Sequence, residues 1–172
     1  MLKIYYAAPL FNMGEMWFNS KFVEELRARG YAVFSPQENV IASNDATDEV
    51  KKRLHQGDVD AITDADIIVA NCSGREIDQG TAAEIGIGFG KGMAVVGFTT
   101  DRRLYNSSSK INPFVQGCLY NSTLYEYPNV FDVLDKLKQN LVEKSLRPGA
   151  SEMLKTNAIH TKSLAELEET SK

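Results

Sequence analysis

The stretch Asp66-Ile-Ile-Val-Ala-Asn71, then Gln79 to Gly90, then Met93-Ala-Val-Val-Gly-Phe98 decides the fold of this chain. Two continuously apolar runs of strand length enclose one segment rich in small residues and of helix length. A strand polar on one side would alternate, so both runs read as strands covered on both faces. Strand, helix and strand at this rhythm form a parallel unit with a right-handed crossover.

Working outward, Leu2 to Ala7 is another short apolar run, closed by Pro9, and Tyr31 to Phe34 a further one, stopped by Ser35-Pro36. Between them a helix is expected after the loop Ala8 to Gly14, with Trp17, Phe18, Phe22, Val23 and Leu26 as its buried face and Gly30 as its stop. Asp45 and Thr47 offer N-caps for a helix reaching Thr63, with Val50, Leu54, Val59 and Ile62 inward and Gly57 as a weak spot. Downstream, Thr99 to Asn112 reads as a long polar loop, Phe114 to Tyr125 as a short helix, and Tyr125 to Val130 as a last strand or crossing segment. Val130, Leu134, Leu137 and Leu141 then mark an amphipathic helix ending near Ser145. The sum is an α/β, doubly wound sheet of roughly five parallel strands with helices on both faces. Residues 1–148 form its domain. Residues 149–172, with a capping box at Ser163 to Glu166, are a helical extension that either packs on the body or on a partner subunit, or frays.

Bulk composition narrows the partners. A chain of 172 residues with 43% hydrophobic and 24% charged residues is of ordinary globular make-up. Its net charge of −4 argues against nucleic acid, which demands a basic face. No apolar run approaches a membrane span of ~20 residues, and the start lacks the apolar core of a signal peptide. A cytoplasmic protein that binds a small neutral ligand is expected. Cys72 and Cys118, with His55 and His160, have no metal-ligand spacing, so neither a metal nor a cofactor is expected and both cysteines read as free thiols.

In an open parallel sheet, ligands sit beyond the carboxyl ends of the strands, where the strand order reverses. The loops after the first strand and after the Asp66 to Asn71 strand both leave from that edge. Glu84 lies early in its helix, with Gly80 and Gly88 four residues to either side on one face. Either the glycines leave room for a ligand beside the carboxylate, or they only let the helix pack tightly while Glu84 faces solvent. Asp78 is placed as an N-cap, a duty compatible with a second one in the site. Asp58, Asp60, Asp64 and Asp66 crowd a helix end where negative charge is unfavourable, so at least one has another purpose. Tyr5 and Tyr6 must face opposite sides of the sheet, so only one reaches a given site. Phe11, in the loop after Pro9, can stack on a flat ligand. The run Gly86 to Gly92 imitates a phosphate loop but ends a helix instead of opening one, which excludes dinucleotide and P-loop binding.

Taken in order, Tyr-Tyr-Ala-Ala-Pro-Leu-Phe11, Ser-Pro-Gln37, Asp58 with Ala-Asp66-Ile-Ile-Val-Ala-Asn71, Asp78-x-Gly-Thr-Ala-x-Glu84-Ile-Gly, Val-Val-Gly-Phe-Thr-Thr-Asp101 and Asn112-Pro-Phe-Val-Gln-Gly117 resemble the nucleoside 2-deoxyribosyltransferase family. The resemblance covers Lys3 to Leu119 and implies a flavodoxin-like fold and exchange of 2-deoxyribose between nucleobases. It implies Glu84 as the nucleophile that forms a deoxyribosyl ester, Tyr5 as the residue that orients it, and Asp58 as the acid that handles the base proton. It further implies Phe11 stacking on the base, Gln37 reading its edge, and Asp78 with Asn112 holding the sugar 5′-hydroxyl, with Gly80 beside them. Asn112 would come from a neighbouring subunit, so a homo-oligomer acting on a deoxynucleoside and a free nucleobase is implied. The C-terminal region departs from relatives that end near the site and use their terminal carboxylate there.

Two other readings stand beside this one. The first is a hydrolase of 2′-deoxynucleoside 5′-monophosphates, a sister group that carries a small hydroxyl residue where this chain has Asp78. A carboxylate there repels a phosphate by several kcal/mol in a poorly solvated site, and Glu15 would add to it. Ser73, Gly74 and Arg75 are the residues nearest to a phosphate receptor. The second is a non-catalytic nucleoside or nucleotide sensor, in which Tyr5, Asp58 and Glu84 need not converge.

Overall fold

In a computed structural model of the protein, residues 1–39, 47–101 and 111–145 are described. The chain divides into two compact units, Met1–Lys138 and Gln139–Lys172. The first holds all five strands: β1 (Lys3–Ala7), β2 (Ala32–Phe34), β3 (Ile67–Asn71), β4 (Ala94–Thr99) and β5 (Leu124–Glu126). They form one sheet in the order β2-β1-β3-β4-β5, every pair parallel. The order reverses between β1 and β3, which fixes the ligand edge at the exits of those two strands. Of the second unit, residues 139–145 continue the last helix; residues 149–172 and the Ser163 box lie outside the described residues.

The helices are α1 (Met13–Ala28), α2 (Asp48–Asp64), α3 (Gln79–Gly90), the short α4 (Pro113–Gly117) and α5 (Val130–Ser145). Alternation along the strands sorts the core into two layers. On one face Tyr5, Ala7, Ile68, Ala70, Cys72 and Val95 pack with Ile62 of α2, Ile85 of α3 and Cys118 just after α4. On the other, Phe22 of α1 stacks on Phe98 of β4 at 4.6 Å and on Phe131 of α5 at 5.2 Å. Buried aromatics of this kind stabilise by roughly 1.5–3 kcal/mol each relative to exposure.

Element ends follow local chemistry. Asn12 caps α1 by accepting from Glu15 N, while the Glu15 carboxylate accepts from the Phe11 and Asn12 amides, a capping box. Gly30 follows the end of α1 at φ +79°, a conformation that a side chain would resist. Thr47 caps α2 through Val50 N, and Asp45, the other candidate, lies outside the described residues. The helix runs through Gly57 without a break. Two expectations need correction. Trp17 is 66% exposed, because the buried side of α1 runs through Asn19, Phe22, Val23 and Leu26. The segment Phe114 to Tyr125 is not one helix: α4 stops at Gly117, a 3-10 turn covers Tyr120–Ser122, and β5 starts at Leu124. Most of the expected polar loop, 102–110, is outside the described residues.

Candidate active site

The site is built where α3 crosses the exit of β1. Glu84 sits six residues into α3 and is half-buried, and the Tyr5 hydroxyl donates to its Oε1 at 2.6 Å. Tyr5 itself is sealed, its ring stacked on Phe34 with centroids 5.6 Å apart. Burial pushes the Glu84 carboxyl up to about 7; the Tyr5 hydroxyl pulls against that, and the charges of Asp58 and Asp78 reinforce it. Burial likewise raises the Tyr5 hydroxyl far above its ordinary value, with the neighbouring Glu84 and Asp58 charges adding to the rise. Tyr5 therefore stays a neutral donor throughout the working range.

Asp58 is half-buried in the second half of α2, and desolvation raises its carboxyl against the lowering effect of His55. Its three neighbours in the acidic cluster have structural duties. Asp64 pairs with Lys3 Nζ at 2.8 Å, Asp66 Oδ2 accepts from Lys3 N at 2.8 Å, and Asp60 accepts from Gln56 at 2.8 Å. Asp58 alone of the four is the carboxylate that acts on Tyr5 and Glu84.

Asp78 caps α3: its Oδ2 accepts from Thr81 N at 2.9 Å and from the Thr81 hydroxyl at 3.3 Å. The positive end of the helix is thus occupied by the protein's own carboxylate. The two flanking glycines differ. Gly88 is a packing residue, since a Cβ there would run into Ile68 Cδ1, whereas Gly80 is exposed and a Cβ there would meet only Asp78 Oδ2, at 3.1 Å. Glu84 is not turned to solvent, so the close approach of α3 and the inward carboxylate occur together.

The remaining candidates line the surroundings. Phe11 is 76% exposed on the loop after β1. Gln37, on the 3-10 turn Pro36–Asn39 after β2, spends both amide protons on α1, donating to Met16 O and Ser20 Oγ at 3.0 Å each. Asn112 caps α4 by accepting from Phe114 N at 2.9 Å, and Phe114 is 82% exposed. Neither Asn112 nor Phe11 contacts the Tyr5–Glu84 pair through a hydrogen bond. Glu15, considered as a second negative charge in the site, is instead committed to the capping box of α1. Ser73 is tied into the exits of β3 and β4, donating to Asn71 Oδ1 at 2.6 Å and accepting from Thr100 N at 2.9 Å. Asn19, which the apolar pattern of α1 concealed, is 2% exposed and accepts from Tyr6 at 2.9 Å. A polar residue in register with Phe22, Val23 and Leu26 was the available signal.

Among the described residues, no group of three or more His, Cys, Asp or Glu side chains is arranged to hold a metal ion. Among them, too, no helix is long and apolar enough to cross a membrane. What the arrangement can do is covalent chemistry: a desolvated carboxylate held by a neutral donor, with a second carboxyl in its field.

Known proteins resemble the chain over most of its length. The chain is similar to a conserved protein from Enterococcus faecalis V583 (27% identity, TM-score 0.67), with 81% of this chain and 99% of that one covered. It is similar to a 2-deoxyribosyltransferase from the psychrotolerant bacterium Bacillus psychrosaccharolyticus (29% identity, TM-score 0.63), covering 76% and 89% of the two chains. A 2-desoxiribosyltransferase from Leishmania mexicana, 22% identical with a TM-score of 0.52 over 67% and 85%, shares the fold. No curated protein matches the chain. The model of the nucleoside 2-deoxyribosyltransferase family matches residues 4–164, and the chain, a five-stranded parallel α/β protein of flavodoxin-like order, belongs to that family.

Proposed function

We propose that this protein exchanges 2-deoxyribose between nucleobases through an ester on Glu84. The observation that carries the reading is the 2.6 Å bond from the sealed Tyr5 hydroxyl to Glu84, with Asp58 close enough to raise both groups. In the first step a Glu84 carboxylate oxygen attacks the anomeric carbon, the glycosidic bond breaks, and Asp58 in its acid form delivers a proton to the departing base. In the second, a nitrogen of an incoming base attacks the same carbon and gives its proton to Asp58, and Glu84 leaves as carboxylate. Two inversions give net retention. Phe11 supplies a stacking face for the base.

Asp78 supports a nucleoside over a nucleotide, because it fills the helix terminus where a phosphate would bind and adds a negative charge beside Glu84. Its Oδ1 is the acceptor for a sugar 5′-hydroxyl. The exposed Asn112–Phe114 corner supports a homo-oligomer in which a second copy completes the sugar site with its Asn112. Such an enzyme would serve nucleoside salvage in the cytoplasm, with residues 149–172 as an extension on the body or a partner.

The test is incubation with deoxyinosine, with and without free adenine. Deoxyadenosine formed only when adenine is present is the expected outcome. Release of the base from a deoxynucleoside 5′-monophosphate, without transfer, would replace this reading by the hydrolase.

A further inference from the structure

Asn19 ties together two loops at the ligand edge that come from different strands. It lies on α1, 2% exposed, among apolar neighbours. Its Nδ2 donates to the Pro9 carbonyl at 2.8 Å and to Gln37 Oε1 at 3.1 Å, and its Oδ1 accepts from the Tyr6 hydroxyl at 2.9 Å. Pro9 stands in the loop that carries Phe11; Gln37 stands on the turn leaving β2, the strand beside β1. One buried amide thus sets the spacing of both.

The same bonds fix which way round the Gln37 amide stands. Its Nε2 faces two acceptors, Met16 O and Ser20 Oγ, at 3.0 Å each, and its Oε1 faces a donor, Asn19 Nδ2. Turning the amide over would set donor against donor at Asn19 and carbonyl against carbonyl at Met16. A primary amide has two donors and two acceptor lone pairs, and three of these four are spent inside the protein. What remains for a ligand is one lone pair on Oε1, which can only accept.

We propose that Asn19 is a positioning residue that, through Gln37 and Pro9, sets base selectivity in favour of nucleobases offering an exocyclic amino group, such as adenine or cytosine, over keto counterparts such as hypoxanthine or uracil. This rests on the reading of the site as a nucleobase site. Asn19→Asp keeps the shape and the Tyr6 bond but cannot donate, so it favours the turned Gln37 amide, with an N–H where the lone pair was. Gln37→Met, on the half-buried turn, removes the recognising group without disturbing the interior of α1.

The experiment compares adenine with hypoxanthine, by calorimetric binding of the free bases and by kcat/KM as acceptors, in the wild type and both variants. The wild type is expected to favour adenine about tenfold, the size of one hydrogen bond gained against one carbonyl clash. Asn19→Asp should reduce that ratio about tenfold or reverse it, and Gln37→Met should bring it close to one. An unchanged ratio in Gln37→Met, or in a folded Asn19→Asp, overturns the proposal, as does failure of the wild type to bind either base. Should the binding ratio shift as expected while no transfer occurs, the transferase reading falls and the amide lock stands; transfer with an unmoved ratio gives the reverse.

Discussion

Tyr5 and Tyr6 are consecutive in β1, equally shut off from water at 0% and 1% exposure, and face opposite layers of the molecule. Tyr5 ends on the carboxylate of Glu84, whereas Tyr6 ends on the amide of Asn19. Burial pushes the Glu84 carboxyl up to about 7, and the charges of Asp58 and Asp78 add to that rise. Around Tyr6 the layer is aromatic, with Phe22 stacked on both Phe98 and Phe131 and the Arg29 guanidinium lying over the outer Phe131 ring. The same residue type at adjacent positions therefore serves two different ends. One layer keeps a costly, reactive charge available, and the other supplies the packing that offsets it.

The sharpest way to break this contrast is to neutralise the reactive layer. Glu84→Gln should lower transfer by at least about 10³-fold, since the nucleophile is gone. The same substitution should stabilise the protein by about 2–3 kcal/mol at pH 8. The sign follows from linkage: the Glu84 carboxyl is raised in the folded state, so the stability it contributes is full below its unfolded value near 4.5 and is lost as pH rises through about 7. Denaturation at pH 4 should accordingly show no gain for Glu84→Gln. Equal effects at pH 4 and pH 8 would mean that Glu84 is ordinarily solvated.

Removing the hydroxyl on this side comes next in size. Tyr5→Phe is expected to cost about 10- to 100-fold in kcat/KM and to move the acidic limb of the pH profile upward, because the Tyr5 bond is what lowers the Glu84 carboxyl. A rate loss without that displacement would assign Tyr5 to packing alone. Smallest is the matched change on the opposite layer: Tyr6→Phe should cost about 1 kcal/mol of stability, measured by urea unfolding, with the pH profile left in place.

Most of the fold was legible because its signals are local. Apolar runs, Pro9, Pro36 and Gly30 mark the strands and the helix stop, and the order of elements admits few parallel topologies. The site was legible where charge stood out against its surroundings. The crowd of aspartates before β3 announced a surplus carboxylate; Asp60, Asp64 and Asp66 find structural partners, while Asp58 is half-buried and its charge acts on Glu84. What stayed hidden depends on rotation and reach. Trp17 and Asn19 sit two positions apart on α1, and only the packed helix reveals that the polar one turns inward and the larger apolar one does not. Glu15 reads as a loop charge until the start of α1 at Met13 makes it the third residue of a capping box. The spending of Gln37 on α1 is a long-range contact between elements, which no local pattern encodes.

Gly88 has a bearing on the Tyr5–Glu84 pair from one turn along α3. Glu84 and Gly88 lie one helical turn apart on α3, so the depth at which the helix rests on the sheet and the reach of the carboxylate toward Tyr5 are a single length. The missing Cβ over Ile68 sets that length. A methyl group at position 88 would act as a shim, lifting the helix and stretching a 2.6 Å bond at the far end of the same turn. The reach of Glu84 toward Tyr5 is therefore gauged one turn further along the same face of its helix, by an atom that is not there.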